Sequence, residues 1–415
     1  MKAPSPTTLI LLGLGGGLAA GSVLHAVEAP GEAGLVAAAA ALGGVWLDAL
    51  RMTIIPLVFA LLVTGMARAA DAVGRGGLAA RALLTFGGGL LLAASLTALF
   101  TPALLAAWPA PGEAAAALRT TATGGGAQIP QTPPLSEWLS AFIPANPFKA
   151  AADGAMASLV VFALIFGLAV SRLDAARRDM LVTVFDGVQA AMMVIVRWVL
   201  VLAPGGVFLL ALTVGARTGF GAVGLLGHYV VVVSLMCLMA GALGLIAALA
   251  GGRTPPRDLA GAMAPVGAMA ISTQSSLACL PVMLAACARL GIPERVSGLV
   301  LPMGVALFRI TSPAGNLAVA LYVAHLYGVT LAPSQVAAGV LVAALVSLAA
   351  VGVASSVTFF TTLVPIFMSL GLPMELLPLL LAVETFPDFS RTLGNVAGHV
   401  GVTAWAARWR RAGAA

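Results

Sequence analysis

The amino-acid sequence predicts an all-α polytopic membrane protein with eight transmembrane helices and two re-entrant helical hairpins. Its 415 residues are 60% hydrophobic and only 9% charged, with a mean hydropathy of +1.06, whereas about a quarter of the residues of a soluble domain are charged. Eight apolar runs are long enough to cross a bilayer, for which a helix needs about 20 residues. Two further apolar segments are interrupted by hydroxyl residues, which is typical of hairpins that enter the membrane and return.

The eight predicted spans are distributed over the whole chain. The first follows Lys2 and resembles a signal peptide, but no clear cleavage site follows it and more spans do, so we predict a retained helix. Ala and Gly are abundant throughout, as expected where helix backbones approach closely in lipid. The spans are Thr8–Val27, Val45–Ala67, Ala79–Trp108, Ala155–Val170, Ala190–Gly215, Val223–Gly251, Val296–Tyr327 and Leu376–Trp405.

The two interrupted segments are Asp258–Leu290, broken by the polar run 272–276, and Pro333–Leu372, broken by several Ser and Thr residues and by Pro365. Irregular backbone at membrane depth is tolerated only where it is buried in protein or lines a cavity. One broken segment precedes the intact span Val296–Tyr327 and the other follows it. This order indicates inverted repeats with a binding site near the midplane of the bilayer.

The distribution of basic residues predicts that both termini are cytoplasmic. With the N-terminus inside, fourteen of the 21 Lys and Arg residues fall on the cytoplasmic side. This bias requires both interrupted segments to be re-entrant, because a full span at either place would move the C-terminal arginines outside. Outside lie Arg119, Lys149 and Arg217, and within the spans lie Arg51, Arg197, Arg309 and Arg391.

Composition also argues against other classes of protein. The net charge of +6 lies mostly in short loops, where it reports topology and not nucleic-acid binding. The three cysteines, Cys237, Cys279 and Cys287, show neither a pairing pattern nor metal-ligand spacing. The four histidines are scattered, and no nucleophile–base pair is evident, so we expect neither an enzyme nor a metal site or organic cofactor.

A polar stripe in the last span is the best pointer to function, because charged groups inside a bilayer are costly. At 100° per residue its members fall within roughly 80° of one another on a helical wheel. A stripe that holds both carboxylates and a guanidinium can bind a molecule that itself carries both signs of charge. The members are Glu384, Asp388, Arg391, Asn395 and His399, with Thr392 at the edge.

Four motifs, in this order, resemble the dicarboxylate/amino acid:cation symporter family, the glutamate transporter homologues. Leu50–Phe59 is similar to the second helix of the family, and Ile143–Phe148 to its Pro-x-Asn-Pro-Phe motif. Ser272–Pro281 is similar to the serine-rich tip of the first hairpin. Asp388–Gly398 matches the eighth-helix motif Asp-x-x-Arg-Thr-x-x-Asn-Val-x-Gly. The resemblance covers nearly the whole chain.

The resemblance implies a homotrimer in which each subunit has a fixed scaffold and a transport domain that moves by an elevator mechanism. The scaffold is then residues 1–76 and 140–217, and the transport domain is residues 77–108 and 218–415. Residues 109–139, rich in Ala, Gly, Thr and Pro, form an external loop. We expect a bacterial protein of the inner membrane whose partners are the lipid bilayer, a small acidic substrate and its own copies, and not nucleic acid.

The resemblance also assigns roles to residues. In the family, the residue that matches Arg391 holds the distal carboxylate of the substrate, and the residue that matches Asp388 contacts its amino group. The matches to Thr392 and Asn395 contact the α-carboxylate and the adjacent site. Ser275 and Ser276 at the hairpin tip can cradle the same carboxylate. Each has a structural alternative: Arg391 can form an ion pair with Asp388 or Glu384, and the serines can cap the broken helix.

These roles favour an acidic amino acid, aspartate or glutamate, as the substrate. A proton-coupled symporter of C4-dicarboxylates such as succinate, malate or fumarate is the alternative, although dicarboxylate-specific members tend to lose the carboxylate at the position of Asp388. An anion-conducting channel or a receptor that has lost transport is an alternative from another class.

The chain departs from the family where sodium binds. Sodium-coupled members carry Asn-Met-Asp-Gly-Thr in the seventh helix, where this chain has Phe308-Arg309-Ile310-Thr311-Ser312, and a second aspartate is replaced by His399. The second hairpin is also shorter and lacks its glycine-rich tip. We therefore expect sodium-independent transport, with Arg309 as a fixed cation that compensates the carboxylates. The coupling ion is then a proton, carried by His399, Glu384 or Asp388, or there is none.

Overall fold

The computed structural model describes residues 6–27, 32–74, 77–111, 143–219, 221–252, 255–348 and 355–412. Within these ranges the chain forms sixteen α-helices and no β-strand. The prediction of an all-α membrane protein is confirmed at this level. The helices are α1 Pro6–Val27, α2 Glu32–Gly74, α3 Gly77–Ala107, α4 Pro147–Ala152, α5 Met156–Ser171, α6 Ala175–Val201, α7 Ala203–Thr218, α8 Gly221–Gly252, α9 Pro256–Thr273, α10 Leu280–Arg289, α11 Glu294–Leu307, α12 Thr311–Tyr327, α13 Pro333–Ser347, α14 Ser355–Leu370, α15 Leu377–Val383 and α16 Thr385–Ala412.

Five of the described helices, α1, α2, α3, α6 and α8, are long and apolar enough to cross a membrane. α2 extends well beyond its predicted span at both ends and reaches 43 residues. Of the other predicted spans, the fourth is the single 16-residue helix α5, and the seventh and eighth are each divided between two helices, so helix length alone does not confirm the count of eight. The predicted external loop 109–139 lies mostly outside the described residues.

Three predicted spans are each divided into two helices. The fifth is broken at Leu202, the seventh at residues 308–310 and the eighth at Glu384. In each case a proline, Pro204, Pro313 or Pro387, lies in the first turn of the second helix. Proline is tolerated there because the first N–H groups of a helix have no partner within it, and its ring disfavours helix just before it. The sequence conceals these breaks because its apolar character continues through them.

The first predicted hairpin is α9 and α10, joined by residues 274–279. Gln274 ends α9 in the left-handed conformation, with φ 48°, and its N–H donates to the carbonyl of Ala270. The second hairpin is α13 and α14. Residues 349–354, between these two helices in the sequence, lie outside the described residues, so the predicted shortening of the second hairpin stays a prediction.

Glycines bring two pairs of helices into backbone contact. Gly13, Gly17 and Gly21 form one edge of α1, and a Cβ added at any of them would lie 2.2–2.4 Å from a backbone oxygen of α7. Between α8 and α16, a Cβ on Gly241 or Gly244 would similarly meet Gly394 or Gly398 at 2.5–2.6 Å. Small residues thus replace side-chain packing, as expected of helices that associate in lipid.

Side chains attach α2 to α6. The indole Nε1–H of Trp46 donates to the carbonyl of Val199 at 3.0 Å, and Nη2 of Arg68 lies 2.8 Å from Oδ1 of Asp186. α2 also packs on α5 and α7, whereas α16 packs on α8, α11 and the first hairpin. Contacts between the two groups include those of α15 with α1 and α7, of α13 and α14 with α5, of α14 with α2 and of α8 with α7. The division into scaffold and transport domain stays a prediction.

Candidate functional site

The polar stripe of α16 faces the break between α11 and α12. Nε2 of the buried His399 lies 2.7 Å from the carbonyl oxygen of Phe308, and Oδ1 of Asn395 accepts from the N–H and the hydroxyl of Thr311 at 3.1 and 2.9 Å. Because helix ends leave backbone groups without partners, these two side chains supply what the broken helix lacks. The polar stripe of α16 therefore supplies the hydrogen bonds that are missing at the break between α11 and α12.

Glu384 and Arg391 form a buried ion pair at the start of α16. Nε of Arg391 lies 2.6 Å from Oε1 of Glu384. The hydroxyl of Tyr229, on α8, donates to Oε2 of Glu384 at 3.2 Å. Glu384 can reach along the helix to Arg391 because it lies at the junction of α15 and α16, where the chain changes helix. Of the structural alternatives for Arg391, the pair with Glu384 is thus present.

The other two nitrogens of Arg391 differ in their surroundings. Nη1 donates to Oδ1 of Asn316 at 3.0 Å, and the amide of Asn316 in turn donates to the hydroxyl of Ser312 at 3.3 Å. Nη2 is buried and has no hydrogen-bond partner among the described residues. A guanidinium nitrogen of this kind carries two N–H donors. Nη2 of Arg391 can therefore donate hydrogen bonds to a carboxylate that enters the site.

Arg309 lies within the break itself and is partly buried. Arg309 is close enough to Asp388, Arg391 and His399 for its charge to act on each of them. Two carboxylates, Glu384 and Asp388, therefore share one region with two guanidinium groups. With all four ionised their formal charges cancel, so an acidic amino acid, with one net negative charge, adds an uncompensated charge to the site.

The tip of the first hairpin lies beside the start of α16. Nε2 of Gln274 donates to the carbonyl of Thr385 at 3.1 Å. Oγ of Ser275 accepts from the N–H of Ala278 at 3.3 Å, so this serine caps the turn, as the structural alternative expected. Ser276 follows in the same turn and is partly buried. The hairpin tip is thus placed at the site, although no described hydrogen bond joins its serines to Arg391.

Sequence reasoning missed several residues that contact the predicted ones. The helical periodicity predicts Thr392, which is buried next to Arg391, but it does not predict Tyr229, Asn316 or Gly315. Asn316 is the one whose signal was visible, because an amide within an apolar span needs a partner. Tyr229 and Gly315 matter only through contacts between distant parts of the chain.

Broken helices that hold a buried, charged site between them are typical of secondary transporters, membrane proteins that bind a solute within the bilayer. Residues 7–409 match the sodium:dicarboxylate symporter family. The chain belongs to that family, and the resemblance that the motifs indicated is confirmed. A family of symporters agrees with the expectation of a protein that is not an enzyme.

Individual relatives differ in what their names say they carry. The proton/glutamate-aspartate symporter of Escherichia coli (strain K12) is 27% identical over 379 residues, which cover 88% of this chain and 84% of that protein. The proton/sodium-glutamate symport protein of Bacillus subtilis (strain 168) is 25% identical over 389 residues, covering 89% and 85%. The neutral amino acid transporter B(0) of Oryctolagus cuniculus is 31% identical over 433 residues, covering 94% and 75%.

Proposed function

We propose that this protein is a secondary active transporter that moves aspartate or glutamate across the inner membrane without the usual sodium sites of the family. The observation that carries the proposal is the Nη2 edge of Arg391, which is buried and has no hydrogen-bond partner among the described residues. A guanidinium edge binds a carboxylate oxygen through charge-assisted hydrogen bonds. The names of the two bacterial relatives, which are glutamate or aspartate symporters, agree with this substrate.

The remaining charges suit the other ends of the same molecule. Asp388 supplies a carboxylate for the substrate ammonium group, and Thr392 and Asn395 supply donors for the α-carboxylate, with Ser275 and Ser276 opposite. A C4-dicarboxylate lacks the ammonium group and so makes no use of the carboxylate of Asp388. A neutral amino acid, as in the name of the rabbit relative, has no side-chain carboxylate to bind Nη2 of Arg391. An acidic amino acid has a group for Nη2 and a group for Asp388.

Support for sodium independence comes from the break in the seventh span. The side chains of Phe308 and Ile310 are buried and apolar, and the carbonyl oxygen of Phe308 is already occupied by His399. Sodium prefers hard oxygen ligands. Arg309 contributes a fixed positive charge at this place, and we propose a proton as the coupling ion because an acidic substrate adds negative charge to a cluster that is otherwise neutral.

The elevator movement and the homotrimer are proposed from the family resemblance. The packing of α8, α11 and the first hairpin around α16 agrees with a single moving unit that contains the site. The packing of α1, α2 and α6 on α7, and of α5 on α2, agrees with a separate scaffold. Cross-linking of purified protein tests the trimer, since two bands above the monomer are expected.

The transport proposal is tested by uptake of radiolabelled L-aspartate into proteoliposomes, with and without a sodium gradient and at two external pH values. We expect uptake that ignores sodium, rises when the outside is acidic and is inhibited more by L-glutamate than by succinate. The Arg391→Lys variant keeps the charge but loses the planar fork, so its uptake should be nearly lost, while Arg289→Lys, on the exposed end of α10, should behave like the natural protein. Strict sodium dependence would refute the coupling proposal, and stronger inhibition by succinate the substrate proposal.

A further inference from the structure

The guanidinium of Arg391 lies directly against the backbone of α12 at Gly315. A Cβ added to this glycine would be 2.6 Å from Nη1 of Arg391, 2.8 Å from its Cζ and 2.9 Å from Sγ of Cys237. Real Cβ atoms essentially never make contacts below 3.0 Å. The position that the guanidinium occupies is therefore open only because residue 315 has no side chain.

The other edges of the guanidinium are held by hydrogen-bonding or charged groups. Nε faces Glu384 at 2.6 Å, and Nη1 donates to Asn316, the residue that follows Gly315 in α12. Asn316 is itself fixed by Ser312, one turn earlier. With these contacts in place, Nη2 is the edge left for a ligand. The backbone at Gly315 sets how deeply the group lies, and so where its free edge is.

We propose that Gly315 is a positioning residue that sets the selectivity of the site for acidic over neutral amino acids; this inference rests on the proposed function. Any side chain at residue 315 displaces the guanidinium from α12, which breaks the bond to Asn316 and moves Nη2. Only a substrate with a side-chain carboxylate binds Nη2. Displacement of Nη2 therefore lowers the affinity for acidic substrates and not the affinity for neutral ones.

The substitution Gly315→Ala separates this role from a role in folding. The atoms that the new methyl group meets belong to the far end of a flexible arginine side chain and to a sulfur atom, and both can move without shifting a backbone. Alanine also has a higher helix propensity than glycine. We therefore expect G315A to fold and to melt close to the natural protein. Gly298, in α11, is the matched control, since a Cβ there meets nothing within 4 Å.

The experiment measures concentration dependence of L-aspartate uptake into proteoliposomes, and its inhibition by L-asparagine, the neutral analogue of nearly the same size. For G315A we expect the KM for L-aspartate to rise roughly 10- to 100-fold, as a misplacement of about 1 Å can cause, with Vmax within about twofold. The inhibition constant of L-asparagine should stay unchanged or fall. G298A should match the natural protein in every measurement.

The variant G315A/C237A tests which neighbour matters. If displacement of the guanidinium is the cause, the loss persists without the sulfur atom, and restoration of the KM in the double variant would overturn the proposal. An unchanged KM in G315A, or an equal loss for aspartate and asparagine, would also overturn it. Failure of the proposed function looks different, because the natural protein would then take up no aspartate. The position of the guanidinium in a cryo-EM map of G315A would still test the positioning role, and an undisplaced guanidinium would refute it.

Discussion

Nε of Arg391 and Oε1 of Glu384 lie 2.6 Å apart, although the two residues are seven positions apart in the sequence, and neither side chain is more than 11% exposed. A carboxylate can bind Nη2 alone while Glu384 stays in place, but a fork of two hydrogen bonds over Nε and Nη2 requires Glu384 to leave Nε. The substrate and Glu384 therefore compete for the same guanidinium. If Glu384 takes up a proton when it is displaced, this competition couples one proton to each acidic substrate.

The first prediction concerns Glu384→Gln. Because protonation of Glu384 frees Arg391, we expect the natural protein to bind L-aspartate more tightly as the pH falls. E384Q has no proton to gain, so its affinity should be nearly independent of pH and close to the acidic limit of the natural protein. Isothermal titration calorimetry at several pH values measures this. Glu375→Gln, at an exposed residue outside the helices, serves as the control. If E384Q binds L-aspartate more weakly but keeps the pH response, the ion pair of Glu384 with Arg391 is purely structural.

The second prediction separates His399 from Glu384 as the proton carrier. In His399→Gln the amide Nε2 can still donate to the carbonyl of Phe308, as the imidazole Nε2 does, but the side chain no longer titrates. We expect H399Q to keep both its melting temperature and its pH-dependent uptake. H399A should lose about 1–3 kcal/mol of stability, since it leaves a buried carbonyl without a donor. Loss of the pH response in a well-folded H399Q would instead make His399 the carrier.

The third prediction concerns the charge of Arg309. Its removal in Arg309→Gln leaves two carboxylates against one guanidinium, so an acidic substrate meets a site with an excess negative charge. We expect the KM for L-aspartate to rise about tenfold or more, which corresponds to roughly 1.4 kcal/mol. External cations should partly restore uptake in the variant and have no effect on the natural protein. Uptake by R309Q that equals that of the natural protein would exclude a compensating role; Arg289→Gln is the control for loss of a positive charge elsewhere.

The fourth prediction tests the glycine edge of α1. A Cβ at Gly17 would lie 2.4 Å from the carbonyl oxygen of Phe208 and 2.8 Å from Cβ of Ala211, on α7. A backbone oxygen cannot move aside as a side chain can, so Gly17→Ala should destabilise the protein by about 1–3 kcal/mol. Gly15→Ala, two residues earlier in α1, meets nothing within 4 Å and should melt like the natural protein. Thermal unfolding in detergent compares the two, and equal melting temperatures would contradict the close packing of α1 on α7.

The sequence predicted the polar stripe of α16 because helical periodicity alone places Arg391, Asn395 and His399 on one face. It also predicted the first hairpin, since the run 272–276 is polar within an apolar segment. Both inferences depend only on residues close together in the chain, and both elements are present.

The partners of the stripe could not be predicted in the same way. Whether Arg391 pairs with Asp388 or Glu384 depends on the change of helix at Glu384, and the proline that accompanies it, Pro387, resembles prolines elsewhere in the chain that do not break a helix, such as Pro56. The contacts of Tyr229 and Asn316 bring together residues that are 155 and 75 positions from their partners. Local pattern carries no information about such contacts.

The length of α2 has a consequence for the surrounding lipid. Its 43 residues measure about 64 Å along the axis at 1.5 Å per residue, roughly twice the thickness of the hydrocarbon layer. A helix longer than the hydrocarbon layer must tilt, or its ends must extend beyond that layer. Activity should in consequence depend on the acyl-chain length of the lipid, so that a change of bilayer thickness alone can reduce transport without any ligand.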